Sequence, residues 1–121
     1  MSNARNIANL PNGDDAPVYA CRAWVNFNGT STVAIRDSGN VSSITDNGTG
    51  DYTVNFATAM PDANYSVAIS SNRNGAESDP NWSANMHGTT PMASGLVRIV
   101  MGTPTNFSTD DSPFCTVSIF R

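Results

Sequence analysis

Lysine is absent from this chain, and all of its formal positive charge comes from six arginines. Charged residues make up only 13% of the sequence, whereas an ordinary soluble domain carries about 25%. The arginines are scattered along the chain, and the formal net charge is −4. A nucleic-acid-binding protein normally carries a basic stripe that displaces counterions from phosphates. The composition therefore excludes nucleic acid as a partner.

Long apolar runs are also missing. No segment approaches the roughly 18 apolar residues of a membrane span, and the N-terminal sequence MSNARNIANLPNGDD lacks the apolar middle of a signal peptide. We therefore expect no membrane insertion, and synthesis in a cytoplasm.

Only two cysteines are present, Cys21 and Cys115, and they fall in the first and last predicted strands. Two interpretations remain open for them. A disulfide between the two strands is sterically conceivable, but two buried reduced thiols suit a cytoplasmic product better.

Groups that carry catalysis are scarce. One histidine and one glutamate accompany nine aspartates, and most aspartates stand beside turn residues, where they are expected to cap their own turns rather than bind calcium. Ser83, His87 and Asp79 have the residue types of a hydrolytic triad, but nothing within one loop fixes their geometry. A polysaccharide hydrolase, the remaining enzymatic alternative, needs two carboxyl groups about 5–10 Å apart. We predict no catalytic residues, no metal and no cofactor.

Asparagine, serine and threonine supply the polarity instead, with 15, 14 and 12 residues among 121. A chain of this length fits one domain with its own hydrophobic core. Its surface is then polar but weakly charged. Such a surface is compatible with close packing between copies of the chain, and its amides and hydroxyls suit hydrogen bonding to sugars.

Apolar side chains alternate with a period of two from residue 19 onward, which is typical of half-buried strands. Seven strands are predicted, at residues 19–27, 32–36, 41–45, 51–56, 64–70, 95–102 and 114–121. The turns at Asn28-Gly29, Ser38-Gly39 and Asn47-Gly48 predict a meander, because Asn-Gly supplies the positive φ of tight hairpins. The expected fold is all-β: an antiparallel β-sandwich, jelly-roll-like or a partly closed barrel.

Residues 1–17 show no such alternation and are predicted to form an extended N-terminal arm, so that the sandwich domain spans residues 18–121. The strand at 95–102 is apolar on both faces apart from Arg98, which indicates burial on both sides or a contact between subunits. Trp24 alternates in step with the polar residues of its strand, so it is predicted to lie on their face. It is interpreted as an interface residue rather than a ligand contact. The candidate interface residues are Ile7, Leu10, Trp24, Leu96 and Val100.

Two long irregular stretches, residues 71–94 and 103–113, interrupt the strands. Loops of this length are often binding sites. Trp82 stands among amides, an arrangement that stacks on a sugar ring while hydrogen-bonding its hydroxyls; alternatively, its indole closes the end of the sandwich. The candidate ligand-binding residues are Arg73, Asn81, Trp82, Asn85, His87 and Asn106.

The run ARNIANLPNGDDAPVYACRAWVNFNGTSTVAIRDSGNVSSITDNGTGDYTVNFATAMPDANYSV, residues 4–67, resembles a module found near the C-terminal ends of tail-fibre and other structural proteins of tailed bacteriophages, particularly marine and cyanobacterial ones. The closing TVSIFR is similar to the ending of those proteins. The resemblance implies a β-rich virion protein that is made in the host cytoplasm and is trimeric like most fibre tips.

Host-surface attachment is the function that this resemblance implies, with residues 71–94 and 103–113 as the recognition loops. The expected partners are further copies of the chain, other virion proteins and a bacterial surface polysaccharide. The alternative is a small decoration protein of the capsid or tail with a purely structural role.

Overall fold

The computed structural model describes residues 19–73, 81–103 and 108–121, which contain ten β-strands and no helix. The strands are β1 (Cys21–Asn28), β2 (Ala34–Gly39), β3 (Val41–Gly48), β4 (Asp51–Phe56), β5 (Ser66–Ser71), β6 (Ser83–Met86), β7 (Met92–Ala93), β8 (Leu96–Thr103), β9 (Ser108–Thr109) and β10 (Cys115–Phe120). It follows that none of these residues belongs to a helix that could cross a membrane. The predicted arm, with Ile7 and Leu10, lies outside the described residues.

The strands form two antiparallel sheets. The first sheet has the order β2-β1-β10-β5, and the second has the order β3-β4-β8-β6, with β7 and β9 also paired to β8. All described pairings are antiparallel. The predicted all-β antiparallel sandwich is therefore confirmed.

The core lies between the facing sides of the two sheets. Alternate residues of β1, β4, β8 and β10 are buried there, because the side chains of a strand point to opposite faces in turn. Two aromatic pairs join the sheets at the two ends of β4. Tyr52 meets Phe27 edge-on at 5.3 Å between ring centroids, and Phe56 meets Tyr65 at 5.7 Å. Such edge contacts add about 0.5–1.5 kcal/mol beyond the burial of area.

The predicted meander is wrong at its second turn. β2 pairs with β1 in the first sheet, whereas β3 pairs with β4 in the second, so the chain crosses between sheets at Asn40. Asn40 has a φ of 55°. Its side chain accepts from Thr58 N at 2.7 Å and donates to the carbonyl of Arg22 at 3.1 Å. Strand alternation indicates which face of a strand is buried and does not indicate which strand is its partner.

The prediction of a tight Asn28-Gly29 hairpin is also wrong. Residues 29–33 join β1 to β2, and positive φ falls at Ser31 rather than at the glycine. Asn28 Oδ1 instead accepts from the backbone N–H of Thr30 at 3.0 Å. Gly29 is buried, and a Cβ added there would lie 2.8 Å from Cζ of Tyr52. Glycine is required at this position for close approach and not for backbone conformation.

Three short strands were not predicted: β6 and β7 within residues 71–94, and β9 within 103–113. They are two to four residues long, too short to carry an alternation of their own. β6 and β7 pair with the edge of β8 opposite to β4, and β9 pairs with the end of β8 that extends beyond β4.

The two cysteines stand at opposite ends of the paired strands β1 and β10. Cys21 faces Phe120, and Cys115 faces Phe27. Both thiols are free; Cys115 is buried, and Cys21 is exposed. The expectation of two buried thiols is therefore wrong for Cys21, because the β1 ladder shifts register between Cys21 and Ala23 and turns the thiol away from the core.

Candidate functional site

A groove of about 210 Å³ opens on the outer face of the second sheet. It lies over the last residues of β8, at the point where β6 pairs with one edge of this strand and β9 with the other. The lining residues are Ser83, Asn85, Val100, Met101, Gly102, Thr103, Ser108 and Thr109. Both long stretches that were predicted to be irregular therefore contribute walls to one groove.

The lining of the groove carries no formal charge. Ser83 and Asn85 of β6 form one wall, and Ser108 and Thr109 of β9 form the other, so the residues of both walls are neutral and polar. Val100 contributes an apolar side chain to the floor. A sugar ring presents hydroxyl groups at its rim and C–H groups on its faces, so neutral polar walls above an apolar floor complement it.

Gly102 allows β9 to approach the floor of the groove. A Cβ at this position would overlap the carbonyl oxygen of Ser108 and lie 2.8 Å from Cα of Thr109. Any larger residue would displace β9 and with it the second wall. Gly102 therefore determines the width of the groove.

An ion pair borders the groove on the side of β4. The Arg98 guanidinium donates two hydrogen bonds to the Asp51 carboxylate, at 2.9 and 2.7 Å. This hydrogen bonding lowers the pKa of Asp51 below its ordinary value. Asp51 is the cross-strand partner of Val100 in the groove floor, as Asn85 is on the other side. The floor therefore has the amide of Asn85 on one side and the carboxylate of Asp51 on the other, and the charge of this carboxylate is balanced by Arg98.

Polar side chains continue across the same face from β4 to β3. Asn55 donates to Ser43 Oγ at 3.1 Å and to Thr45 Oγ1 at 2.9 Å. Asn47 donates to Thr53 Oγ1 at 2.8 Å. Since these amides are already bonded to neighbouring strands, they rigidify the sheet beside the groove.

Among the six predicted ligand-binding residues, Asn85 is the one that lines the groove. Val100, predicted as an interface residue, lies in the groove floor. Leu96, the other interface candidate on β8, also points outward on this face. It lies two outward-facing positions before Val100 along the strand. The structure therefore brings together residues that the sequence assigned to different surfaces.

Trp82 lies at the seam between the two sheets. Its indole is half-buried and packs against the core, and Nε1 donates to Ser71 Oγ of β5 at 2.8 Å. This contact ties the first sheet to the segment that leads into β6. The arrangement corresponds to the second interpretation given for Trp82, in which the indole closes the sandwich.

The other predicted ligand residues that the structure describes do not line the groove. Arg73 follows β5 and Asn81 precedes β6, and both are exposed. His87 follows β6, and its Nδ1 accepts from the backbone N–H of Thr89 at 3.3 Å. Asn106 lies outside the described residues.

The residue types of the hydrolytic triad make different contacts. Ser83 Oγ accepts from Asn85 Nδ2 at 3.0 Å, and Asp79 lies outside the described residues. Asp46 and Asp110 accept hydrogen bonds from the backbone of their own turns, as predicted. Across residues 19–73, 81–103 and 108–121, no three His, Cys, Asp or Glu side chains group closely enough to hold a metal ion.

Trp24 lies on the opposite surface of the molecule, on the outer face of the first sheet. Its indole covers Gly39, where an added Cβ would lie 2.9 Å from Cδ1 of the indole. It remains 41% exposed, and Phe120 on the neighbouring strand is 40% exposed. Ser118 is the cross-strand partner of Trp24, which places Phe120 at a diagonal position on the same face. These two side chains form an apolar patch far from the groove.

Several groove residues were missed in the sequence: Gly102, Thr103, Ser108 and Thr109. The available signal was a long apolar strand followed by the stretch TPTNFST, residues 103–109, in which four of the seven residues are Ser or Thr. No family model, curated protein or solved structure matches the chain. The function is therefore inferred from the chemistry of these residues and from the resemblance described above.

Proposed function

We propose that this chain is a non-enzymatic domain of a tailed-phage virion that attaches to a bacterial surface polysaccharide through the groove between β6 and β9. The observation that carries the proposal is the convergence of both recognition stretches on one groove. Its walls offer neutral hydroxyls and an amide, and its floor is apolar. A neutral or weakly polar sugar is the ligand class that this combination fits best.

The size of the groove sets the expected affinity of a single chain. Its volume of about 210 Å³ is below the roughly 300–1,000 Å³ of a typical ligand pocket, and few hydrogen-bonding side chains line it. Binding by one copy is then weak, because each new hydrogen bond replaces one made to water. Assembly as a homotrimer, as in a fibre tip, raises the avidity through effective concentration. The proposed location is the virion, after synthesis in the host bacterial cytoplasm.

A matched pair of arginine substitutions tests the site. Val100→Arg places a long cation across the groove floor, and the outward Arg98 on the same strand indicates that β8 accommodates such a side chain. Thr116→Arg makes the same charge change on β10, a central strand of the first sheet, on the opposite surface. Circular dichroism and thermal unfolding verify that both variants are folded.

Binding is measured on an array of bacterial surface polysaccharides and by adsorption to intact cells. We expect the wild-type chain and the Thr116→Arg variant to bind the same polysaccharide, and the Val100→Arg variant to lose this binding. Retention of binding by folded Val100→Arg, or an array to which the wild-type chain does not bind, would count against the proposal.

A second candidate function is favoured by the Trp24 and Phe120 patch. Two exposed aromatic side chains on one flat sheet face are typical of an interface with another protein. In a capsid or tail decoration protein, this patch would contact a further copy or the shell, and the groove would tolerate substitution. Light scattering of Trp24→Ser distinguishes the two roles: loss of assembly with unchanged polysaccharide binding assigns the patch to assembly alone.

A further inference from the structure

We propose that Asn47 is a site of spontaneous covalent modification, in which the side-chain amide is converted through a cyclic imide to aspartate and isoaspartate. The reaction needs an asparagine followed by a residue whose backbone nitrogen reaches the side-chain carbonyl carbon. Glycine is the most permissive follower because it has no Cβ to obstruct this approach. Asparagine is among the thermally labile residues for this reason.

The described residues contain two Asn-Gly pairs, Asn28-Gly29 and Asn47-Gly48, in contrasting surroundings. Asn47 and Gly48 are both exposed, at the end of β3. The β3–β4 ladder shifts register between Asp46 and Gly48, so Asn47 stands at a bulge rather than at a paired position. A Cβ added at Gly48 would meet no atom within 4 Å, which leaves space for the two groups to approach.

The second pair is protected by burial and by hydrogen bonds. Gly29 is buried, and its N–H donates to the carbonyl of Ser112 at 2.8 Å. Asn28 Oδ1 accepts from the N–H and the hydroxyl of Thr30, at 3.0 and 2.7 Å. Three hydrogen bonds must therefore open before Gly29 N can attack. The Asn47 pair also makes hydrogen bonds, but to side chains at the surface: Gly48 N–H donates to Asp46 Oδ1 at 3.0 Å, and Asn47 Nδ2 donates to Thr53 Oγ1 at 2.8 Å and to Asp51 Oδ1 at 3.4 Å.

The chemical step is balanced with water as its only co-reactant. The backbone nitrogen of Gly48 attacks Cγ of Asn47 and loses its proton to solvent. The C–N bond to Nδ2 breaks, and the departing nitrogen takes up one proton from solvent and leaves as ammonia. Water then adds to either carbonyl of the five-membered imide and opens it to aspartate or isoaspartate.

The product would alter the surface beside the groove. Asn47 Nδ2 donates to Thr53 Oγ1 at 2.8 Å and lies 3.4 Å from Asp51 Oδ1. Conversion removes this donor and puts a carboxylate next to the carboxylate of Asp51. Arg98, which is bonded to Asp51, would then face two anions.

The distribution of arginines makes the test direct. Because the chain has no lysine, trypsin cleaves after arginine alone, and the two pairs fall in separate peptides, residues 23–36 and 37–73. The folded wild-type chain is incubated at mildly alkaline pH, and each peptide is analysed by mass spectrometry for conversion and by fragmentation for isoaspartate. A parallel incubation in urea exposes both pairs equally.

In the folded chain we expect peptide 37–73 to convert about tenfold faster than peptide 23–36, because the N–H of Gly29 must leave a buried carbonyl, whereas the hydrogen bonds of the Asn47 pair are made to side chains at the surface. In urea the two rates should become similar. The Asn47→Gln variant, whose longer side chain disfavours the five-membered ring, should lose the fast conversion in peptide 37–73. Equal rates in the folded chain, or conversion of peptide 37–73 only in urea, would overturn the proposal.

Discussion

Replacing Tyr52 by phenylalanine removes one buried hydroxyl and keeps the ring in its edge contact with Phe27. The hydroxyl donates to Asp111 Oδ1 at 2.6 Å and lies 2.8 Å from the carbonyl oxygen of Gly29. Burial, followed by the hydrogen bond to Asp111, raises the pKa of this hydroxyl. A hydrogen bond to a charged group contributes about 1.5–3 kcal/mol, so we expect Tyr52→Phe to cost about 2 kcal/mol.

Tyr65 provides the matched comparison within the same core. Its ring also meets a phenylalanine edge-on, but its hydroxyl donates to a neutral carbonyl oxygen, that of Leu96 at 2.6 Å, and lies 2.9 Å from the carbonyl oxygen of Ala93. Tyr65→Phe should therefore cost about 1 kcal/mol. In thermal unfolding, these costs correspond to decreases in Tm of about 8 °C and about 4 °C, respectively.

A double-mutant cycle isolates the contribution of the charge. Asp111→Asn keeps an acceptor oxygen at the same place but removes the negative charge. In this background, Tyr52→Phe should cost about 1 kcal/mol, which gives a coupling energy of about 1 kcal/mol between the two positions. Equal costs for Tyr52→Phe and Tyr65→Phe, or no coupling in the cycle, would refute the assignment of a charge-assisted bond.

Three further predictions use other parts of the sandwich. Because hydrogen bonding to Arg98 lowers the pKa of Asp51, their partly exposed ion pair stabilises the fold fully above the ordinary aspartate pKa of about 3.9, and this stabilisation decreases as the pH falls below that value. Asp51→Asn should thus cost about 0.5–1 kcal/mol at neutral pH in urea unfolding and progressively less as the pH falls below about 3.9. Thiol titration should modify Cys21 at once and Cys115 only after unfolding, because burial raises the pKa of the Cys115 thiol to about 11. Gly39→Ala should displace the indole that covers it, red-shift the tryptophan fluorescence and cost about 1–3 kcal/mol.

A strand could be predicted from the sequence where its own residues alternate between apolar and polar side chains. The alternation in β4 and β10 follows from one face being buried, and the sequence contains it directly. The crossing between sheets at Asn40 could not be predicted from the residues of the turn. A turn that contains glycine can join two strands of the same sheet or two strands of different sheets. What decides is the contact of the Asn40 side chain with Thr58 and Arg22, which are distant in sequence.

The groove was predictable only in part for the same reason. Asn85 stood out because it lies in a long polar stretch, but Ser108 and Thr109 become a wall only through pairing with the free edge of β8. For Trp82, the sequence neighbours indicated the wrong surroundings. Its neighbours in sequence are amides, whereas its neighbours in space are the core and Ser71, because β5 and β6 close the edge of the sandwich.

Backbone amide chemical shifts, mapped during titration with the polysaccharide that the array identifies, test the proposed groove most directly. We expect the largest changes on residues 83–86 of β6, the end of β8 and Ser108–Thr109 of β9. Changes centred on Trp24 and Phe120, on the other face of the sandwich, would show that the groove is not the binding site.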